Sequence, residues 1–347
     1  MTSAAPTAAS GPGLRARLGR ATPYVLLAPG LLYLIVFYVL PSIQMFTYSI
    51  STGSIEEGFT ITMSLDAYVT GLERFGKQFL NSIIYGGAAT IATLLIGFPV
   101  AYAIAFRGGR YKNLLLFLVV APFFTSFLLR TISWKIILGD SGPFFGPLKD
   151  IGLVPDDFRV LATPMAVIAG ITYNFLPFMT LPVYVALEKI DGRLVEAAKD
   201  LYAGPWRPGG GVAGAVVGGA LAAVLGVVFG GPWPIFGLVG AVVGGGIGWL
   251  LVSESFVRVT FPLSLPGVFA GSLLTFIPAI GDYVNAELLG NPDTRMIGNV
   301  IQNKFLTQND YPSASALSFT LMAGVLIVVA IYARVLGTEE LSTTGRV

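Results

Sequence analysis

The residues able to do chemistry in this chain are few, and their pattern argues for docking rather than catalysis. There is no cysteine and no histidine, which removes thiol redox chemistry, disulfide frameworks and the usual zinc and haem ligands. No cluster of acids and no Ser–Lys pair at helical spacing stands in for them. No catalytic residue, metal or cofactor is therefore expected. Two near-motifs are decoys. Gly71-Leu-Glu-Arg-Phe-Gly76-Lys77 almost spells a phosphate-binding loop, but Gln78 stands where Ser or Thr should hold magnesium. Gly209-x-Gly211-x-x-Gly214 matches a dinucleotide fingerprint, yet it opens an uncharged apolar run instead of following a strand. The informative stretch runs from Glu196 to Gly204, Glu-Ala-Ala-Lys-Asp-Leu-Tyr-Ala-Gly. As a helix over 193–203 it presents Ala197, Ala198 and Leu201 on one packing face and leaves Glu196, Lys199 and Asp200 in water. Small alanines on that face let another surface approach closely.

The elements that must carry this helix are apolar. The chain has 347 residues, 54% hydrophobic and only 12% charged, with mean hydropathy +0.76. A soluble domain carries about 25% charged residues, so the polar surface needed for water is missing. Lipid is the alternative, and a bilayer core takes roughly 20 apolar residues per helix. Six segments qualify, at 24–50, 82–106, 113–138, 164–187, 264–289 and 314–336. The expected fold is an all-α polytopic membrane protein with six core spans. A Gly-rich stretch at 208–254 adds two apolar arms, 212–230 and 235–252, around Gly231-Pro232-Trp233-Pro234. Small residues recur there at fourfold spacing, as in helices that pack tightly in lipid. A hairpin inserted at 208–254 brings the expected count to eight spans.

With the N-terminus in the cytoplasm, thirteen Lys and Arg fall on inner segments and seven on outer ones. That bias predicts both termini inside. Residues 1–20 and 338–347 read as cytoplasmic tails, flanking a permease-like domain at 21–207 and 255–337. The outer loops 51–81, 139–163 and 290–313 are long enough to present a docking surface. A net charge of only +2 gives no reason to expect nucleic acid as a partner.

Removing 208–254 joins Arg207 to Ser255, and the flanks read EAAKDLYAGPWR-SFVRVTFPLSLPG, with nine residues between Tyr202 and Val259. This resembles the EAA loop of ABC-importer permeases. The resemblance implies a cytoplasmic helix docked in a groove of an ATPase subunit. It assigns coupling to Glu196, Ala197, Ala198, Asp200, Leu201, Tyr202 and Gly204, with Pro262, Pro266 and Gly267 at the exit. Tyr202 stands where the motif has glycine, and the insert lies within the docking loop.

A narrower resemblance covers nearly all of the remaining chain. FIPAIGDYVNAELLGNPDTRMIGNVIQNKFLTQNDYP at 276–312, LLAPGLLYLIVFYVLPS near the start and LLRTISWKIILGDSGPFFG from Leu128 are similar to the spermidine/putrescine importer permeases, B-type subunit. The implied partners are a second permease subunit, two cytoplasmic ATPase subunits, an extracytoplasmic substrate-binding protein and membrane lipid, in a bacterial-type cytoplasmic membrane. Permeases for ferric iron, phosphonates and opines share much of the pattern and stay open as alternatives. A passive channel and a membrane enzyme are the rivals from other classes. Polyamines are flexible polycations, best held by carboxylates and aromatic faces. Asp282 falls roughly 18 residues into a helix starting near residue 264, where a charge must face a wet cavity or a partner. Pro278, one turn earlier, is expected to kink that helix. Asp282, Tyr283, Glu287, Trp134 and Tyr173 form the expected substrate path. Arg130, beside Trp134, either pairs with a carboxylate or rejects the wrong cations.

Overall fold

A computed structural model describes residues 26–152, 154–201 and 256–336. The insert at 208–254, both tails, Tyr202 and Gly204 lie outside the described residues. Five helices among those described are long and apolar enough to cross a membrane, and a bent pair makes a sixth. The first, α1 (Leu26–Ser49), contains a widened turn at Ile35–Val39 that runs directly into Pro41. Pro41 lacks an N–H and crowds the carbonyl one turn earlier, and the widened turn makes room, with Leu40 N–H bonding back to Ile35 O.

A two-stranded antiparallel hairpin follows, β1 (Ser51–Ser54) against β2 (Gly58–Ile61). Among the described residues it is the exception to an otherwise helical structure. The long helix α2 then covers Asp66–Arg107, 42 residues. At ~1.5 Å per residue that is about twice the thickness of a bilayer core. The helix is broken at Phe75, whose φ of −116° and ψ of 17° leave the helical region. Residues 66–75 therefore form a separate arm where a loop was expected across 51–81.

The third apolar segment departs further from its sequence reading. Instead of one span over 113–138, α3 (Lys112–Val120) and a tight turn at Ala121–Phe124 meet α4 (Phe127–Ile137), the two arms being bent by 93°. Pro122 fits the first turn of the tight segment, and Thr125 is extended, with ψ of 151°. After the short α5 (Phe145–Asp150) comes α6 (Pro164–Glu188), started by Thr163, whose hydroxyl accepts from Ala166 N–H. A short helix α7 spans Gly192–Leu201. The chain resumes in a widened turn, Phe256–Thr260, that again runs into a proline, Pro262 of α8 (Phe261–Ile280). The fifth apolar segment was expected to run through 264–289, but α8 ends at Gly281 and a new helix, α9 (Val284–Leu289), starts after a break. The chain closes with α10 (Ile297–Leu306) and α11 (Tyr311–Leu336).

Helix α6 is the centre: 56% of its most apolar window is buried, against 0% for α1. It packs between α2 and α8. The approach to α8 depends on Gly267 and Gly271, one turn apart. A Cβ on Gly267 would lie 2.6 Å from Pro182 O and 3.1 Å from Val183 Cα, and one on Gly271 would lie 3.0 Å from Met179 O. Close backbone contact of this kind is how helices associate in lipid, where hydrophobicity supplies no drive. Around it pack Phe98, Met179, Val183, Leu187, Phe256 and Val268.

Gly267→Val should lower stability by about 1–3 kcal/mol through overpacking. Thermal denaturation in detergent measures it, with Ala270→Val on the exposed side of α8 expected to melt with the parent protein.

Candidate functional site

The EAA-type segment folds as α7, and its capping is legible in its own residues. The Asp191 carboxylate accepts from Arg193 N–H at 2.9 Å, and the Asp191 carbonyl accepts from Leu194 N–H at 2.9 Å. A carboxylate at a helix start also opposes the positive end of the helix dipole. Val195 and Ala198 are buried, and the helix lies against the turn at Phe256–Thr260. Glu196, Ala197 and Asp200 are exposed. The packing face is thus rotated from the expected one: within this chain Ala198 points inward with Val195, and Ala197 lies on the open side. Pro262 and Pro266 are exposed on α8, whereas Gly267 is buried against α6. Behind α7, Lys112 at the start of α3 pairs with Glu188 at the end of α6 and lies 5.5 Å from the Tyr184 ring centre. That ties the bent span to the same end of the bundle.

The five expected path residues separate into groups. Trp134 on α4 meets Tyr173 on α6, ring centres 5.3 Å apart and steeply inclined. Tyr173 also lines a cavity of about 400 Å³ between α2, α3 and α6, with Leu118, Pro122, Leu176 and Thr180. Asp282 is not inside a helix. It sits in the break between α8 and α9, nearly fully buried, and Asn285 consumes both carboxylate oxygens: N–H to Oδ1 at 2.9 Å and Nδ2 to Oδ2 at 2.5 Å. Gly281 ends α8 and frees Asp282 to cap α9. Tyr283 is 45% exposed. Glu287 lies at the surface, its Oε2 accepting from Asn299 Nδ2 at 3.0 Å.

Sequence reasoning missed the polar cluster that joins these groups. Asn174 Nδ2 donates to Asn285 Oδ1 at 3.1 Å and to Thr131 Oγ1 at 3.2 Å, and all three residues are buried. Asn174 is next to Tyr173, and Thr131 is one turn before Trp134. The polar cluster and the aromatic pair therefore lie side by side where α4, α6 and α9 meet. A signal existed, since Asn174 is an amide inside an otherwise apolar run. Its partners could not be read, because they come from segments far apart in the chain. Among the described residues, no group of three or more acidic side chains could hold a metal ion.

The comparisons with known proteins agree with this geometry. Residues 252–336 match the family model described as binding-protein-dependent transport system inner membrane component. The chain is 32% identical over 303 residues to the spermidine/putrescine transport system permease protein PotB of Haemophilus influenzae, covering 87% of this chain and 90% of that one. It is 30% identical over 300 residues to PotB of Escherichia coli, covering 86% and 92%. The inner membrane ABC transporter permease protein YdcU of Escherichia coli is 26% identical, over 73% of this chain and 68% of its own. In fold, the chain is similar to a bacterial ABC transporter involved in import of the polysaccharide alginate, with TM-score 0.64 at 16% identity, over 94% of this chain and 99% of that one. A related structure of the alginate transporter, in complex with a periplasmic protein, gives TM-score 0.60 at 16% identity over 92% and 96%. With an apolar bundle of span-long helices and a likeness to PotB that runs nearly end to end, this chain belongs to the PotB family of multi-pass permease subunits of ABC-type importers.

Proposed function

We propose that this chain carries polyamines, spermidine or putrescine, across a bacterial cytoplasmic membrane as one of two permease subunits. The observation that carries the reading is the likeness to PotB proteins, at 32% identity and with nine-tenths of the relative covered. Its chemistry is compatible with a polycation through the aromatic faces at Trp134 and Tyr173. The extracytoplasmic binding protein meets the end of the bundle that holds the β1–β2 hairpin and α10. Two ATPase subunits meet the end that holds α7, with both termini on that cytoplasmic side.

In this reading the exposed Glu196, Ala197 and Asp200 face an ATPase groove, while buried Val195 and Ala198 hold α7 against 256–260. ATP-driven closure of the ATPases moves α7, and α8 carries the motion to the break at 281–283. The chain alternates between inward- and outward-facing states without covalent chemistry.

Uptake of labelled spermidine and putrescine into cells carrying the whole transport system should be ATP-dependent, with ferric iron not accumulated. Accumulation of iron and not of polyamine overturns the substrate. Glu196→Arg should abolish uptake while the protein still reaches the membrane; normal uptake by that variant removes α7 from the coupling. A chain lacking 208–254 should insert and transport, and loss of transport with normal insertion makes the insert part of the coupling machinery.

A further inference from the structure

The bent span holds a cation in an unusual way. Arg130 lies on α4, four residues after the break at Ser126, and its guanidinium carbon sits 4.9 Å from the Phe123 ring centre and 5.9 Å from that of Phe127. Those rings come from the two sides of the break. Behind them, Phe178 meets Phe123 edge-on at 5.1 Å, and Phe175 lies 5.9 Å from Phe178 and 6.5 Å from Phe127. No ion pair among the described residues includes Arg130. Its Nε and Nη1 are fully enclosed and have no hydrogen-bond acceptor among them. Among the described residues, the groups found against the guanidinium are the faces of Phe123 and Phe127.

That is the environment in which an alkylammonium binds best outside water, since a ring face attracts any desolvated cation. It is also a hold that lets go. A guanidinium bonded to a carboxylate leaves a buried charge behind when it departs, whereas one held only by rings leaves neutral rings. Trp134 lies one turn further along α4 and meets Tyr173, so Arg130 and the aromatic pair of the expected path share one face of α4. Breaks in membrane helices of transporters are where backbone and side chains meet the transported solute.

We propose that Phe123 and Phe127 form a binding clamp for a substrate ammonium group, filled by Arg130 as a tethered occupant until substrate displaces it. This rests on the polyamine reading above. Two cations cannot share the clamp, because space and like charge both forbid it. Arg130 therefore closes the path when substrate is absent and yields when the binding protein delivers a polycation.

The test uses the complete importer in proteoliposomes loaded with labelled spermidine and lacking ATP. Arg130→Ala empties the clamp and should raise spermidine efflux about ten-fold, the scale of one desolvated cation–π contact. Added methylguanidinium should refill the clamp and slow that efflux toward the wild-type rate, a rescue that a merely structural role does not give. Phe123→Leu, with Arg130 kept, should leak in the same direction. Efflux at the wild-type rate in Arg130→Ala overturns the proposal. So does a variant that no longer co-purifies with its second permease subunit, or a leak that methylguanidinium does not slow. A wild-type importer that takes up no spermidine overturns the polyamine reading itself, whereas a transporting wild type with a tight Arg130→Ala variant overturns only the clamp.

Discussion

The contact on which this bundle depends is the backbone approach of α8 to α6 at Gly267 and Gly271. In lipid there is no gain from moving one apolar surface onto another, so close van der Waals contact between backbones must hold the helices together. Glycine is required because the Pro182 carbonyl and the Val183 and Met179 backbones already occupy the space of a side chain. Once α8 is seated, its two ends are fixed. One end carries the turn at Phe256–Thr260 against α7, and the other carries Asp282 and Asn285 against Asn174. Helix α7 and the polar cluster thus meet opposite ends of one tightly registered helix.

The polar cluster is costly in isolation and specific in context. Buried amides and hydroxyls must find partners inside the protein, since hydrocarbon offers none. Thr131, Asn174 and Asn285 hydrogen-bond to one another across α4, α6 and α9, and Asn285 donates to Asp282, while Asn174 Oδ1 has no partner among the described residues. The arrangement pins the bent span to the central helix. The prolines are accommodated locally: Pro41 and Pro262 each follow a widened turn.

Much of the end that holds α7 was legible in sequence. The run from Glu196 names the loop, and the Asp191 cap and short helix follow from local rules. Which alanine faces inward was not legible. An amphipathic pattern fixes a face only relative to its own helix, and the turn at 256–260 that supplies the partner surface lies more than fifty residues further on. The substrate side was read less well. Tyr173 and Trp134 do meet. Asp282 was placed within a helix because hydropathy runs smoothly from 264 to 289, and only the chain's bend at Gly281 shows that its oxygens are spent on capping.

By itself the sequence determined that the chain lives in lipid, where its apolar segments lie, and which short motif it carries at 196–204. Those properties depend on composition and on short motifs, and hydropathy and local spacing record both. Tertiary structure decided where the spans break, which side chains bury, and which distant residues meet. A break at Ser126 or Gly281 does not interrupt the hydropathy of the run, because both arms remain apolar. The Phe123–Arg130–Phe127 clamp and the Thr131–Asn174–Asn285 cluster each form across such a break or between helices that only packing brings together.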